Sequence, residues 1–242
     1  MHIFDATVIG IVLRMNACKA VRGVIQWQIT EPFEKCKEEI GMKYVNQLAY
    51  PHMQYITQIS NPDPKMRQIG LENTIAKSGC GLCSSVMIAD RLRVDDGKFE
   101  IEDARQLSYD CGANRWSGTR GVVYFPAFAE KFNLEMVHSA NIEDMLHCLR
   151  TGGAVAVLVS GDHDDYHGVF SDRWDHYIVA VSEDREGRIY VLDPAYEEGA
   201  YEKGDRKGKV EVLQPGFGRC SLQVIREETA AIQRPFFLFW HK

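Results

Sequence analysis

The sequence predicts an α+β fold in which helices come first and an antiparallel sheet follows. Up to about residue 150, the apolar residues recur mainly at helical spacing. From Ala154 onward they form short runs rich in β-branched and aromatic residues, which is typical of strands. Glu186-Gly187 separates two of these runs and predicts a hairpin turn, so the two strands should lie side by side and antiparallel.

Local signals mark where the predicted helices begin and end. Pro32 lies in the first turn of one helix, where its missing N–H is no loss. Asn141 is a predicted N-cap, acidic residues follow it in the first turn, and Gly152-Gly153 ends that helix. Helices are predicted over residues 11–24, 32–44, 101–109, 126–132 and 142–150. A further helix is predicted to begin at Cys80.

The strands follow in the second part of the chain. They are predicted over residues 154–159, 177–181, 188–192, 209–213 and 236–240. Asn61-Pro62-Asp63-Pro64 is a predicted loop, since each proline pushes its predecessor out of helical geometry. Residues 112–121, which include Trp116, are a second predicted loop. The predicted organisation is an N-terminal helical extension over residues 1–50 and a main domain over residues 51–242.

Size and charge restrict the classes of partner. With 242 residues, the chain can form one sizeable domain with an appendage. The net charge of −6 without a basic cluster argues against a nucleic-acid surface. No apolar stretch is long enough to span a bilayer. The short apolar run at residues 8–13 follows Asp5 rather than a positive charge, so a core helix is predicted there in preference to a signal peptide. We therefore expect a cytoplasmic protein, with secretion as the alternative.

The cysteines do not form a disulfide framework. Their number is odd and they are scattered along the chain, whereas small secreted scaffolds carry an even and dense set. Most of them are expected to be reduced and buried. The seven are Cys18, Cys36, Cys80, Cys83, Cys111, Cys148 and Cys220.

Cys80 has the environment of a nucleophilic thiol. Gly79 and Gly81 flank it at the start of a predicted helix, and flanking glycines would leave the sulfur accessible to a substrate carbonyl. A helix N-terminus and a nearby imidazolium both favour the thiolate. His176 opens one strand of the predicted hairpin and Asp193 ends the other, so their side chains can meet. A nucleophile, a base and a third group that orients the base are the signature of covalent catalysis.

These residues resemble the C39-like branch of the papain-like cysteine peptidases. The resemblance is carried by Ser78-Gly79-Cys80-Gly81, His176-Tyr177 and Asp193-Pro194, and it covers roughly residues 50–200. It implies a helical lobe with the thiol, a sheet lobe with the histidine and aspartate, and a site in the cleft between them. It also implies that Cys80 is the nucleophile, His176 the general base and acid, and Asp193 the group that orients the imidazole. An upstream glutamine would complete an oxyanion hole; Gln58 is the better match and Gln68 the second choice.

The resemblance implies a peptide or protein substrate and requires no metal or organic cofactor. Two positions depart from the family pattern: Leu82-Cys83-Ser84 replaces Pro-Thr-Ser, and Asp175 replaces the glycine before the histidine. The function predicted is therefore a cysteine peptidase or amide hydrolase. The alternatives are a catalytically silent peptide-binding module, or an acyltransferase or cell-wall peptide amidase of the same fold.

Other motifs allow further interpretations. Cys80 and Cys83 form a C-x-x-C, but a zinc site lacks a second pair of ligands and the setting is not that of thioredoxin. Cys83 is expected to be a packing residue, with a reversible Cys80–Cys83 disulfide as the alternative. His163 and His167 lie among carboxylates and could hold a divalent cation, although a solvated loop at the rim of the cleft is the favoured interpretation. Aromatic residues that could line the cleft or belong to the core are Trp116, Trp174 and Tyr196.

Overall fold

The computed structural model describes residues 42–55, 73–115, 118–161, 163, 166–172 and 174–242. These residues belong to one compact unit that begins at Met42. The unit therefore includes residues 42–50, which the sequence assigns to the N-terminal extension. The predicted helix over residues 11–24 lies outside the described residues, and residues 42–44, the last part of the predicted helix 32–44, are not helical.

The fold is α+β with an antiparallel sheet, as predicted. The helices are α1 (Ile75–Ser78), α2 (Cys80–Arg91), α3 (Ile101–Asp110), α4 (Gly121–Lys131), α5 (Ile142–Arg150) and α6 (Leu222–Thr229), with short 3-10 turns at Gln47–Ala49 and Gly204–Arg206. The strands are β1 (Asn114–Arg115), β2 (Gly118–Thr119), β3 (Leu134–Ser139), β4 (Ala154–Val159), β5 (His176–Glu183), β6 (Arg188–Leu192), β7 (Val210–Gln214), β8 (Phe217–Ser221) and β9 (Phe236–His241).

Seven strands form the main sheet in the order β3-β9-β4-β5-β6-β8-β7, and β1 and β2 form a separate two-stranded ribbon. Every neighbouring pair in the main sheet is antiparallel. The central strands β4 and β5 are almost continuously buried. Both of their faces are therefore covered, as expected for strands that read as apolar runs without alternation.

Helices cover the sheet on both faces. Side chains of α5 and α6 join one core cluster with alternate residues of β4, β5 and β9, among them Val157, Ile178 and Leu238. On the other face, Phe125 of α4 packs against Tyr177 of β5 and Phe237 of β9, with ring centroids 5.2 and 4.7 Å apart. The period-2 alternation of a strand accounts for this division, because neighbouring side chains point to opposite faces.

Several elements differ from the sequence prediction. Helix α4 begins at Gly121 and contains Pro126 in its interior, although an interior proline removes a helix hydrogen bond. Burial of Tyr124, Phe125 and Phe128 offsets that loss. Separation of helices from strands is also less complete than predicted, because β3 precedes α5 and α6 follows β8. In the part of the chain described here, no helix is both long and apolar enough to cross a membrane.

Candidate active site

Cys80 is the first residue of α2, as the sequence predicts. Gly79 is its N-cap and also ends α1, so two helices meet at the cysteine. The thiol is half-buried, whereas the next nine residues of the helix, Gly81–Ala89, are buried. The N–H groups at the start of a helix have no partners within the helix and carry the positive end of its dipole. The fold thus places the sulfur of this half-buried residue at a position that favours negative charge.

The two glycines beside Cys80 are required by packing. A Cβ atom at Gly79 would lie 2.5 Å from Cγ2 of Ile75, and one at Gly81 would lie 3.0 Å from Cβ of Thr119. A Cβ at Gly81 would also lie 3.3 Å from the ring of Tyr177 in β5. Close approach of the helix to β5 therefore depends on Gly81. Ser84 supports the same contact, since its hydroxyl lies 3.4 Å from the Tyr177 carbonyl oxygen.

The hairpin of β5 and β6 brings His176 and Asp193 to one face of the sheet. Val179 pairs with Leu192, so Asp193, the next residue along, comes opposite Ile178. Residues opposite each other share a face, and His176 is the diagonal neighbour on that same face. Nε2 of His176 lies 2.8 Å from Oδ1 of Asp193, and the two side chains are 8 and 6% exposed. The second ring nitrogen, Nδ1, is left for another partner.

Five further hydrogen bonds hold Asp193, one of them from the backbone N–H of Tyr196 to the Asp193 carbonyl over 3.3 Å. The backbone N–H of Ala195 donates to Oδ1 over 2.8 Å, and the hydroxyl of Tyr201 donates to Oδ2. The backbone N–H of Asp193 donates to the Gly216 carbonyl over 2.9 Å, and the Tyr44 hydroxyl donates to the Asp193 carbonyl over 2.8 Å. Tyr201 is thus a positioning residue for the carboxylate that faces His176. The sequence analysis missed it, because Tyr201 lies in a charged segment that is typical of a solvated loop.

The thiol and imidazole favour opposite charges. Burial alone would raise the pKa of the Cys80 thiol, but a hydrogen bond to His176 and its positive charge outweigh burial and lower it. Burial alone would lower the pKa of His176, but the charge of Asp193 and hydrogen bonds to Asp193 and Cys80 raise it above the ordinary value. The two shifts both favour the charged forms, a thiolate at Cys80 and an imidazolium at His176.

Cys83 lies one helical turn after Cys80 and is fully buried. Burial and the neighbouring charge of Cys80 both raise the pKa of the Cys83 thiol. Cys83 is thus buried in the core, as expected of a packing residue. Cys80 and Cys83 are both free cysteines in this structure.

The glutamines proposed for an oxyanion hole, Gln58 and Gln68, lie outside the described residues, as does Trp116. Gln47 is a buried glutamine that the sequence analysis did not select. Its backbone N–H donates to the Pro194 carbonyl over 2.7 Å, and its Nε2 donates to the Ala76 carbonyl over 2.9 Å. Gln47 thus connects Pro194, the residue after Asp193, through its backbone to α1, the helix before Cys80, through its side chain. Its Oε1 is buried and has no hydrogen-bond partner among the described residues.

The connection from β4 to β5 holds the remaining candidates. His163 forms an isolated bridge with Tyr166, and Nε2 of His167 lies 3.8 Å from Oδ2 of Asp205. Among the described residues, no group of three or more metal-ligating side chains lies close enough to hold an ion. Trp174 is 70% exposed, so it is not a core residue. Asp175 is exposed as well, and the carboxylate that acts on His176 is that of Asp193.

Comparisons with known proteins add a distant structural likeness. No family model matches the chain, and no curated protein matches it. Among solved structures, the chain resembles that of a presumed C39-like peptidase from Bacillus anthracis. The two share 10% sequence identity and a TM-score of 0.47, over 84% of this chain and 96% of that one. A likeness at this level leaves the function to be argued from the site itself.

Proposed function

We propose that the protein is a papain-like cysteine peptidase or amide hydrolase in which Cys80 is the nucleophile, His176 the general base and acid, and Asp193 the group that orients the imidazole. The observation that carries the proposal is the arrangement of these three residues. The thiol of Cys80, at a helix N-terminus, has a lowered pKa beside an imidazole, and Nε2 of that imidazole bonds a buried carboxylate over 2.8 Å. Enzymes that form covalent intermediates use the same arrangement, in which a base activates the nucleophile and a third group orients the base.

The proposed acylation step begins from the thiolate–imidazolium pair. The Cys80 sulfur attacks the carbonyl carbon of a peptide bond, and the π electrons of the carbonyl move onto its oxygen. When the tetrahedral intermediate collapses, the C–N bond breaks and His176 gives its proton to the leaving amine. His176 then takes a proton from water, the resulting hydroxide attacks the thioester, and the Cys80 thiolate leaves.

The negative oxygen of the intermediate needs hydrogen-bond donors. The backbone N–H of Cys80 is proposed as one of them, because N–H groups in the first turn of a helix have no helical partner. A glutamine side chain is proposed as the second. Gln58 is the residue proposed from the sequence, and Gln47 is the described alternative, since Ala76 uses only one of the two hydrogens on its Nε2.

Activity against a mixture of unstructured peptides, read by mass spectrometry of the products, tests the proposal. Cys80→Ala should abolish hydrolysis without changing the unfolding midpoint, while Cys111→Ser, a control at the cysteine that follows α3, should keep it. We expect His176→Ala to be more damaging than Asp193→Ala, because the orienting residue is the least costly to lose. Replacing the oxyanion donor should cost about 3 kcal/mol of transition-state stabilisation. Gln47→Ala and Gln58→Ala, assayed separately, identify that donor.

Hydrolysis that survives in Cys80→Ala would refute the nucleophile. A folded wild-type protein that binds peptides without cleaving them would instead be the silent module. Transfer of the acyl group to an added amine in preference to water would indicate an acyltransferase.

A further inference from the structure

We propose that Cys80 and Cys83 form a reversible dithiol–disulfide couple, in which a hydroperoxide oxidises Cys80 and Cys83 converts the product into a disulfide. This inference goes beyond the proposed hydrolysis. It requires a reactive thiol at Cys80 but no cleavage of a peptide. The couple would make the site sensitive to hydroperoxides and protect its sulfur from irreversible oxidation.

Helix geometry places the two thiols together. Cys80 and Cys83 are the first and fourth residues of α2, so they lie on one face of the helix. Side chains of a helix lean toward its N-terminus, so the Cys83 side chain covers the turn that begins at Cys80. The influence of a Cys80 charge on the pKa of Cys83 agrees with this proximity.

The geometry of a disulfide requires a small adjustment at one end. Cβ atoms three residues apart on a helix are separated by about 5–6 Å, whereas a disulfide brings them to about 3.8 Å. Cys80 is the residue best placed to move, because it is the first residue of α2 and Gly79 separates it from α1. Gly79 before it is not in helical conformation, with φ −90° and ψ 7°.

The two thiols differ in the way that such a couple needs. Cys80 is half-buried and favours the thiolate, which is the form that attacks peroxides. Cys83 is fully buried and stays protonated while Cys80 carries its charge. Once Cys80 is oxidised to the neutral sulfenic acid, the charge that opposed ionisation of Cys83 is gone. Burial is the largest cause of the raised pKa of Cys83, and oxidation of Cys80 removes the second cause, which favours attack by Cys83.

The proposed reaction balances in two steps. The Cys80 thiolate attacks one oxygen of the hydroperoxide, an S–O bond forms, the O–O bond breaks, and the departing alkoxide takes a proton from His176 to leave as an alcohol. Cys83 then attacks the Cys80 sulfur, the S–S bond forms, the S–O bond breaks, and hydroxide leaves with the Cys83 proton as water. The two cysteines lose two electrons in total, which a dithiol reductant returns.

The other described cysteines are less suited to this role. Cys148 and Cys220 belong to the core cluster on the α5 and α6 face of the sheet. Cys111 directly follows α3, and its thiol lies 3.7 Å from the Ser108 carbonyl oxygen of that helix. Cys83 is therefore the described cysteine that the fold places to react with Cys80.

The test uses the full-length reduced protein and hydrogen peroxide. Non-reducing peptide mapping should show that the segment with both cysteines has lost two hydrogens. Labelling of Cys80 by iodoacetamide should be lost on oxidation and fully restored by dithiothreitol in wild type and in Cys111→Ser. With excess peroxide, Cys83→Ser should proceed to the sulfinic acid and lose labelling irreversibly. Cys83→Ala repeats the comparison without a buried hydroxyl, in case the serine variant fails to fold.

Three results would refute the proposed disulfide. The first is a Cys83 that stays reduced in oxidised wild type, and the second is a disulfide between Cys80 and Cys18 or Cys36. The third is equal recovery of Cys80 labelling in wild type and both Cys83 variants after excess peroxide. Failure of the proposed hydrolysis gives a different result. If the protein forms the disulfide but cleaves no peptide, the dithiol–disulfide proposal stands and the peptidase proposal fails. If it cleaves peptides without forming the disulfide, the peptidase proposal stands and the dithiol–disulfide proposal fails.

Discussion

Asp193 is buried, and three donors face its carboxylate: Nε2 of His176, the N–H of Ala195 and the hydroxyl of Tyr201. A buried carboxylate is stable in a protein when its oxygens are hydrogen-bonded in this way. The negative charge of Asp193 then acts on His176, where it opposes the effect of burial on the imidazole. The charge of Asp193 thus favours the positive form of the imidazole beside Cys80.

Asp193→Asn should narrow the pH range in which Cys80 is reactive. Wild-type alkylation by iodoacetamide should persist below the ordinary range of a thiol, because the pKa of Cys80 is lowered. The imidazolium that causes this is lost only as the pH rises through the raised pKa of His176. Without the Asp193 charge, burial lowers the pKa of His176, the imidazolium is lost at lower pH, and the pKa of Cys80 rises. Once the pKa of Cys80 exceeds the assay pH, alkylation should fall about tenfold for each further unit of that rise.

Asp175→Asn is the matched control for this pH profile. This variant removes an exposed carboxylate directly before His176. We expect the pH dependence of Cys80 alkylation to be the same as in wild type. An equal displacement of the profile in both variants would show that Asp193 has no special role in charging the imidazole.

At the scale of elements, α6 holds the connection that leads into β5. Glu228 of α6 is fully buried. Its carboxylate accepts hydrogen bonds from the Tyr166 hydroxyl and from the backbone N–H groups of Val169 and Phe170. Burial, the largest influence, raises the pKa of Glu228, while these hydrogen bonds and the charge of Arg206 act in the opposite direction. The helix therefore fixes the backbone that precedes His176 through one side chain.

Glu228→Gln should reduce the free energy of unfolding by about 1–3 kcal/mol, since the amide has one acceptor oxygen and its NH₂ group cannot accept from a backbone N–H. Denaturant unfolding measures this loss. Glu227→Gln is the control at the neighbouring position, where the carboxylate bonds only Gln223 among the described side-chain contacts, and it should change stability by less than about 0.5 kcal/mol. Equal stabilities of the two variants would mean that Glu228 does not hold the connection.

At the scale of the whole molecule, three distant parts of the chain meet at Asp193. Tyr44 lies near the beginning of the described unit, and its hydroxyl donates to the Asp193 carbonyl. Gly216 lies in the turn between β7 and β8, and its carbonyl accepts from the Asp193 N–H. Gly216 also contacts the Tyr44 ring so closely that a Cβ atom would lie 1.9 Å from it. The orientation of Asp193 therefore depends on residues well before and after it in the chain.

Gly216→Ala should destabilise the protein more than Gly208→Ala and should also slow alkylation of Cys80. Both glycines have a positive φ, +74° and +78°, so alanine meets the same backbone penalty of about 1–2 kcal/mol at each. A Cβ at Gly208 has no atom within 4 Å, whereas one at Gly216 collides with Tyr44. Thermal unfolding and iodoacetamide labelling measure the difference. If the two variants behave alike, the contact with Tyr44 contributes nothing to the site.

Most elements could be predicted because their signals are local. Strands β4 and β6 have the predicted bounds, and the side chain of Asn141 caps α5 as expected by accepting from the Glu143 N–H. Strand β8 was not predicted, since Phe217–Ser221 contains a glycine and an arginine and has no apolar run. It is held by its partners β6 and β7 on either side. Its place in the sheet is decided by neighbours rather than by its own residues.

The sequence by itself determined the three chemical groups, the helix that begins at Cys80 and the hairpin that carries His176 and Asp193. The tertiary structure decided whether the last two meet. The ladder of β5 and β6 pairs Glu183 with Ile189 near the turn, and its register shifts between Ala180 and Ser182. Continued without that irregularity, the ladder would place Asp193 opposite Val179 and on the face away from His176. Because side chains alternate along a strand, a shift of one residue changes the face of every side chain beyond it. No local pattern in the sequence marks this shift; it is visible only in the pairing of the two strands.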